Sequence, residues 1–186
     1  MPRKPIDKAS DSLALILRAL AFSAHKHRDQ RRKDPQASPY INHPIGLANV
    51  LRNEGGICDQ AVICAALLHD TVEDTETLPE ELQREFGKLI CGIVLEVTDD
   101  NRLPKQDRKR LQIEHAPNLS RRAKLVKLAD KICNLRDVAH SPPAGWDLAR
   151  RQQYFDWAKQ VVDRLRGVHA VLERVFDDAF LQRPHH

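Results

Sequence analysis

The 186-residue chain has no apolar run approaching the ~20 residues that a bilayer-spanning helix requires, so no transmembrane segment is predicted. Its first ten residues are polar and lack the apolar centre of a secretory signal, which points to the cytosol. The four cysteines, Cys58, Cys64, Cys91 and Cys133, include no Cys-x-x-Cys pair and read as free thiols of a reducing compartment. Aromatic residues are only 5% of the chain, few for a surface that stacks nucleic-acid bases. Internal repeats, low-complexity tracts and linkers long enough to divide domains are also missing. What is present is the composition of a folded globule, 41% hydrophobic and 30% charged, of a length suited to one domain. The net charge of +4 favours an anionic partner without naming one, and nine histidines stand out as a surplus.

Periodicity predicts helix almost throughout. Leu13, Ile16, Leu17, Leu20 and Ala24 form a helical stripe behind a possible Ser10 cap. Residues 28–40, with Pro35, Pro39 and many charges, read as a loop. Pro44 suits the first residue of a helix through Leu51 that stops at Gly55 and Gly56. Asp59 caps the next helix, whose residues 61–68 are apolar on every side and therefore belong in the core. A capping box over Thr77 to Glu80, with Pro79 in the first turn, starts a short helix to Gly87. Residues 88–97 form a further apolar helix or a strand. A charged helix follows over 104–115, and a long one, capped by Asn118 or Ser120, runs to about Ala139. Tyr154, Trp157, Val161, Leu165 and Val168 mark the next stripe, with a break at Gly167 and a last helix to Phe180. The expectation is an all-α, single-domain bundle of about eight to ten helices.

The buried helix ends in His69, Asp70, Thr71, Val72, Glu73 and Asp74. Four ionisable groups at the mouth of a core helix are costly unless something compensates them, and a divalent metal is the simplest compensation. A solvated helix end is the plainer alternative. At about 100° per residue, His69 and Glu73 share one side and Asp70 and Asp74 the adjacent one, so the four can converge on a pocket. His43 precedes Pro44, where a rigid turn can fix its imidazole. Asp130 borders the apolar arc of Leu125, Leu128, Ala129 and Ile132, where an aspartate ordinarily meets water or pairs with Lys127 or Lys131. Together, two imidazoles and two carboxylates make a donor set suited to Mn, Fe or Zn rather than Ca.

These residues resemble those of the HD-domain phosphohydrolases. The likeness extends over Arg31 to Lys33, Pro39 to Pro44, Ala65 to Thr75, Glu96 to Asp100 and Lys124 to Lys131, which look like the hydrolase domain of RelA/SpoT proteins. In particular they resemble the stand-alone small alarmone hydrolases. The matched region is about residues 17–180, leaving 1–10 and 182–186 as tails. The resemblance implies removal of the 3′-pyrophosphate of guanosine tetra- and pentaphosphate, the stringent-response alarmones, with Mn²⁺ as the metal. By position it implies His43, His69, Asp70 and Asp130 as metal ligands. Glu73 and Asp74 become the pair that activates and orients water, Glu73 being favoured as the base because its azimuth is nearer His69. Arg32, Lys33 and Tyr40 would meet the guanine and its sugar, Lys105 and Arg150 the phosphates, and Asn134 and Tyr154 would line the site. Helical spacing supports two of these pairings, because Asp130 with Asn134 and Arg150 with Tyr154 are i, i+4 neighbours. Bifunctional relatives carry a synthetase domain after the hydrolase; a chain ending at His186 is expected only to degrade.

Two other readings make different demands. The same site could remove the 2′-phosphate of NADPH. Alternatively, the basic stretches 26–33, 102–110 and 121–127 could bind nucleic acid, although acids are interleaved with them and aromatics are few. The favoured partner is a small nucleotide, with no nucleic acid and no membrane.

Overall fold

The computed structural model describes residues 8–185; the remainder of the N-terminal tail and His186 lie outside the described residues. The elements are α1 (Lys8–Lys26), α2 (Asn42–Asn49), α3 (Gln60–Leu68), α4 (Thr71–Asp74), α5 (Pro79–Val97), α6 (Lys105–His115), α7 (Arg121–His140), α8 (Leu148–Asp163) and α9 (Ala170–Phe180). A π-helical turn, Val50–Glu54, extends α2, and a 3-10 turn, Ala116–Asn118, follows α6. Among the described residues no strand forms, and a single bridge between Arg31 and Pro39 pinches the loop after α1. The fold is all-α, and no helix among the described residues is long and apolar enough to cross a membrane.

Two helices organise the core. In α3 every residue from Ala61 to Leu68 is buried, and the helix packs against α1, α2, α5 and α7. Its start is set by Asp59, whose carboxylate accepts from the Ala61 amide at 3.0 Å and so satisfies one of the free amides of the first turn. The second organiser is α7, packed against α2, α3, α5, α8 and α9 and capped by Ser120, whose hydroxyl accepts from the Ala123 amide. Because α7 packs against α3 inside the apolar core, polar side chains where the two meet can be held in fixed positions.

The sequence-based boundaries differ from the structure in four places. Helix α1 begins at Lys8, so Ser10 lies inside it rather than at a cap, and Leu13 and Leu17 are exposed at 59% and 54%. Residues 13–22 are apolar around most of the helix, so periodicity alone selects no face; contact with α3 buries Ala19 and Ser23 instead. Helix α2 starts at Asn42, making Pro44 its third residue, still in the first turn where no amide partner is needed. The helix also runs beyond Leu51 to Glu54, and Gly55 closes it by donating to the Val50 carbonyl at 2.8 Å. The expected capping box does not form: Thr77 pairs with the Thr75 hydroxyl at 2.8 Å, and Leu78 precedes Pro79 with no side-chain cap. The break at Gly87 is present as a kink within α5, with φ +82° and ψ 164°, and residues 88–97 are helical rather than extended. Gly167, at φ +89°, separates α8 from α9, which His169 caps through Nδ1.

Candidate metal centre and nucleotide cleft

The donor groups come from three elements. His43 lies in the first turn of α2, His69 directly follows α3, and Asp130 is in the middle of α7. Their donor atoms lie within 4.8 Å of one another, and all three residues are buried. The His69 Nδ1 is 2.9 Å from the Ala66 carbonyl, which fixes the proton on that nitrogen and leaves Nε2 as the donor. Asp70 occupies the turn between α3 and α4, so the helix does not continue through the motif. One of its oxygens is 2.9 Å from His69 Nε2 and also accepts from the Tyr40 hydroxyl. Both oxygens of Asp130 are engaged, one by Asn134 at 2.5 Å and His43 Nε2 at 3.3 Å, the other by Lys131 at 2.9 Å.

The electrostatics follow from burial and crowding. Burial disfavours a charged His69, yet the Asp70 carboxylate outweighs it and holds the imidazole up at about 9. Burial would raise Asp130, but the Lys131 ammonium and His43 hold it well below the usual carboxylate range. Burial pushes Glu73 up to about 7, and it raises Asp74 with help from the Asp70 charge. The fit to a divalent ion rests on the donors themselves. Two buried imidazoles and a carboxylate converge, the Ala66 carbonyl holds His69 with Nε2 turned toward the cluster, where a metal would take the place of its proton, and His43 Nδ1 is buried with no hydrogen-bond partner.

Glu73 and Asp74 share one short helix but face different neighbours. Glu73 accepts from the Asp99 amide at 2.9 Å and lies 3.6 Å from Arg108. Asp74 receives the Tyr40 hydroxyl at 3.3 Å and the Gln30 amide at 3.4 Å. Both line a pocket of about 210 Å³ together with His43, His69, Asp70 and Asp130. The turn at 69–70 thus preserves the convergence expected of an unbroken helix.

Two further cavities adjoin this one. A cleft of about 590 Å³ is lined by Arg32, Lys33, Tyr40, Asn134, Asp137 and Tyr154. A recess of about 360 Å³ is lined by Lys105, Lys109, Trp146, Arg150 and Tyr154. Tyr154 lines all three. Every site residue named from the sequence therefore lines at least one of three cavities that share Tyr154. Arg32 is tied to Asp137, and its guanidinium lies 5.8 Å from the centre of the Tyr40 ring. Arg150 covers Trp146 at 4.5 Å, and Lys105 lies 5.9 Å from the same ring. Burial and the neighbouring Arg150 and Lys33 charges lower the Lys105 ammonium, as befits cations gathered around an anion site.

Several contributors are not assigned to the site by the sequence, although Lys127 and Lys131 are named there as possible partners of Asp130. Lys131 binds Asp130 and lies over Trp157 at 4.5 Å; Lys127 donates to the Val97 carbonyl at 3.0 Å and lines the metal pocket; Lys109 and Trp146 line the recess. A signal existed for Asp137, two helical turns from Asp130 on the same side of α7, and for Lys131, noted only as a possible salt-bridge partner. Trp146 lies in an irregular loop with no periodicity to read.

Comparison with known proteins agrees with this geometry. A family model described as "HD domain" matches residues 19–156. A Xenopus tropicalis protein named guanosine-3′,5′-bis(diphosphate) 3′-pyrophosphohydrolase MESH1 is 57% identical over 174 residues, covering 94% of this chain and 97% of its own. The Homo sapiens protein of the same name is 55% identical over 170 residues, covering 91% and 95%. A solved structure, described as a metazoan ortholog of SpoT that hydrolyzes ppGpp and plays a role in starvation responses, superposes with a TM-score of 0.89. It is 55% identical and covers 91% of this chain and 96% of that one. A family that implies a divalent metal thus coincides with a buried donor cluster, and the chain belongs to the HD-domain family, among its RelA/SpoT-type hydrolase domains.

Proposed function

We propose that this protein hydrolyses the 3′-pyrophosphate of guanosine tetra- and pentaphosphate, giving GDP or GTP and pyrophosphate, with Mn²⁺ as its metal. The observation that carries the reading is a buried His-His-Asp donor cluster opening onto a cation-lined cleft, in a chain 55–57% identical to proteins named for this activity. His43, His69 and Asp130, with Asp70 beside them, would hold the ion. The chemistry a divalent ion supplies when bound is polarisation of a phosphoryl oxygen and acidification of water.

The chain's own groups supply the rest. Glu73, with a carboxyl raised to about 7 by burial, accepts the proton of the attacking water at neutral pH. Asp74, held by Tyr40 and Gln30, orients that water. The water's hydroxyl goes to phosphorus, the bond to the 3′-oxygen breaks, and the 3′-oxygen leaves with a proton. Arg32, Lys33 and Tyr40 bind the guanosine end, Asn134 and Tyr154 line the site, and Lys105 with Arg150 bind phosphates. The chain works as one hydrolase unit in the cytosol. Its basic stretches are partly neutralised by ion pairs, Arg110 with Asp107 and Glu114 and Arg122 with Asp59, which favours a small anionic ligand over nucleic acid.

Incubation with guanosine tetraphosphate and Mn²⁺ is expected to release pyrophosphate, and Asp70→Ala to abolish the release. No release by the wild type, or undiminished release by the variant, sinks the reading. Paired kcat/KM values for the alarmone and NADPH then decide between those substrates, with the alarmone expected to be the better one.

A further inference from the structure

His27 belongs to no role described so far, yet it is buried in the turn that follows α1 and precedes the cleft residues Gln30 to Lys33. Its ring stacks on Tyr40 with centroids 4.8 Å apart and planes 30° apart. Its Nδ1 lies 2.6 Å from the Gln30 side-chain oxygen, and the Gln30 amide nitrogen lies 3.4 Å from Asp74 Oδ2. Its Nε2 is buried and has no partner. Backbone bonds bind the three residues into one unit, since Gln30 donates to the His27 carbonyl at 3.0 Å and Tyr40 donates to the Gln30 carbonyl at 3.2 Å.

Hydrogen-bond polarity orders this chain of contacts. An ionised Asp74 can only accept, so the Gln30 amide must present its nitrogen there and its oxygen to His27. That oxygen can only accept, so the proton of His27 must sit on Nδ1. In the neutral ring the unpartnered Nε2 is then a bare, buried acceptor, a feature that weakens a fold. A phenylalanine ring would retain the stack on Tyr40 without that penalty, so packing alone does not account for a histidine here.

We propose that His27 is a positioning residue that acts through Gln30 and Tyr40 to aim the Asp74 carboxylate into the metal pocket. Both protein contacts of that carboxylate, the Gln30 amide and the Tyr40 hydroxyl, are braced by this one imidazole. The inference rests on the role given to Asp74 under the proposed function.

The test uses the metal-loaded full chain. His27→Phe is expected to lower kcat for pyrophosphate release about tenfold, the lower end of what removing a supporting hydrogen bond does. KM should stay within about twofold, metal content should be unchanged, and the melting temperature should be equal to or above that of the wild type. Gln30→Met should cause a similar loss, and the double variant should lose no more than either single one. Independently of activity, ¹⁵N spectra of the imidazole should show Nδ1 protonated and Nε2 bare. Full kcat in His27→Phe, multiplicative losses in the double variant, or a proton on Nε2 would each overturn the inference. A wild type that releases no pyrophosphate instead contradicts the functional assignment, and the imidazole spectra still decide the hydrogen-bond polarity on which His27's role depends.

Discussion

Replacing Glu73 by Gln is expected to move activity and stability in opposite directions. The Glu73 side chain is 17% exposed, and burial lifts its carboxyl from an ordinary 4.5 to about 7. A carboxyl that binds its proton more tightly when folded makes the native state lose stability as pH rises through that interval. At ~1.4 kcal/mol per pH unit, the full cost is about 3 kcal/mol above pH 7, and it vanishes near pH 4. Gln is nearly isosteric and can still accept from the Asp99 amide, so it removes the charge without removing that contact. In metal-free protein, urea unfolding at pH 8 should therefore find Glu73→Gln more stable by up to about 3 kcal/mol, with the gain gone at pH 4. In metal-loaded protein the same change should lower kcat by roughly 10²- to 10⁴-fold, the loss of a general base, with metal content preserved. Equal stability at pH 8 would refute the burial argument. Wild-type kcat would refute the assignment of the base.

Leu68, fully buried at the end of α3 next to His69, should cost about 2–5 kcal/mol when cut to Ala, read from denaturant midpoints at constant m. Gly87→Ala should destabilise by about 1–3 kcal/mol through backbone strain alone, because φ +82° and ψ 164° suit glycine and an added methyl meets no atom within 4 Å. A melting temperature unchanged from the wild type would contradict that. Arg150→Ala should raise KM about 10- to 100-fold with a smaller effect on kcat, as expected when a charged contact to phosphate is lost from an exposed rim. Kinetics at two salt concentrations check this: the variant should depend less on salt than the wild type.

Local signals carried much of the fold. Asp59 and Ser120 are short polar residues ahead of apolar runs, and each caps a helix through its own side chain. The all-round apolar segment 61–68 had no other place than the core, and His69 with Asp70 at its end was conspicuous because charges there need compensation. The i, i+4 spacing of Asp130 and Asn134 on α7 corresponds to a hydrogen bond of 2.5 Å. Less legible were features decided by distant parts of the chain. The face of α1 is selected by α3 rather than by its own stripe. The Tyr40 hydroxyl reaches Asp70 across 30 residues, and Arg32 meets Asp137 across 105. The kink at 69–70 lies within a segment whose periodicity reads as continuous helix. Lys131 is beside Asp130 in the sequence, but only burial of both makes their pairing obligatory.

The reaction assigned to this site is scission of the bond between the 3′-oxygen and its pyrophosphate. Phosphorus-31 spectra of the products from guanosine tetraphosphate test it most directly, using metal-loaded wild type with Asp130→Asn as the control. The wild type should give stoichiometric pyrophosphate and GDP, and the variant should leave the substrate unchanged. Orthophosphate as the released product, or cleavage that persists in Asp130→Asn, would contradict it.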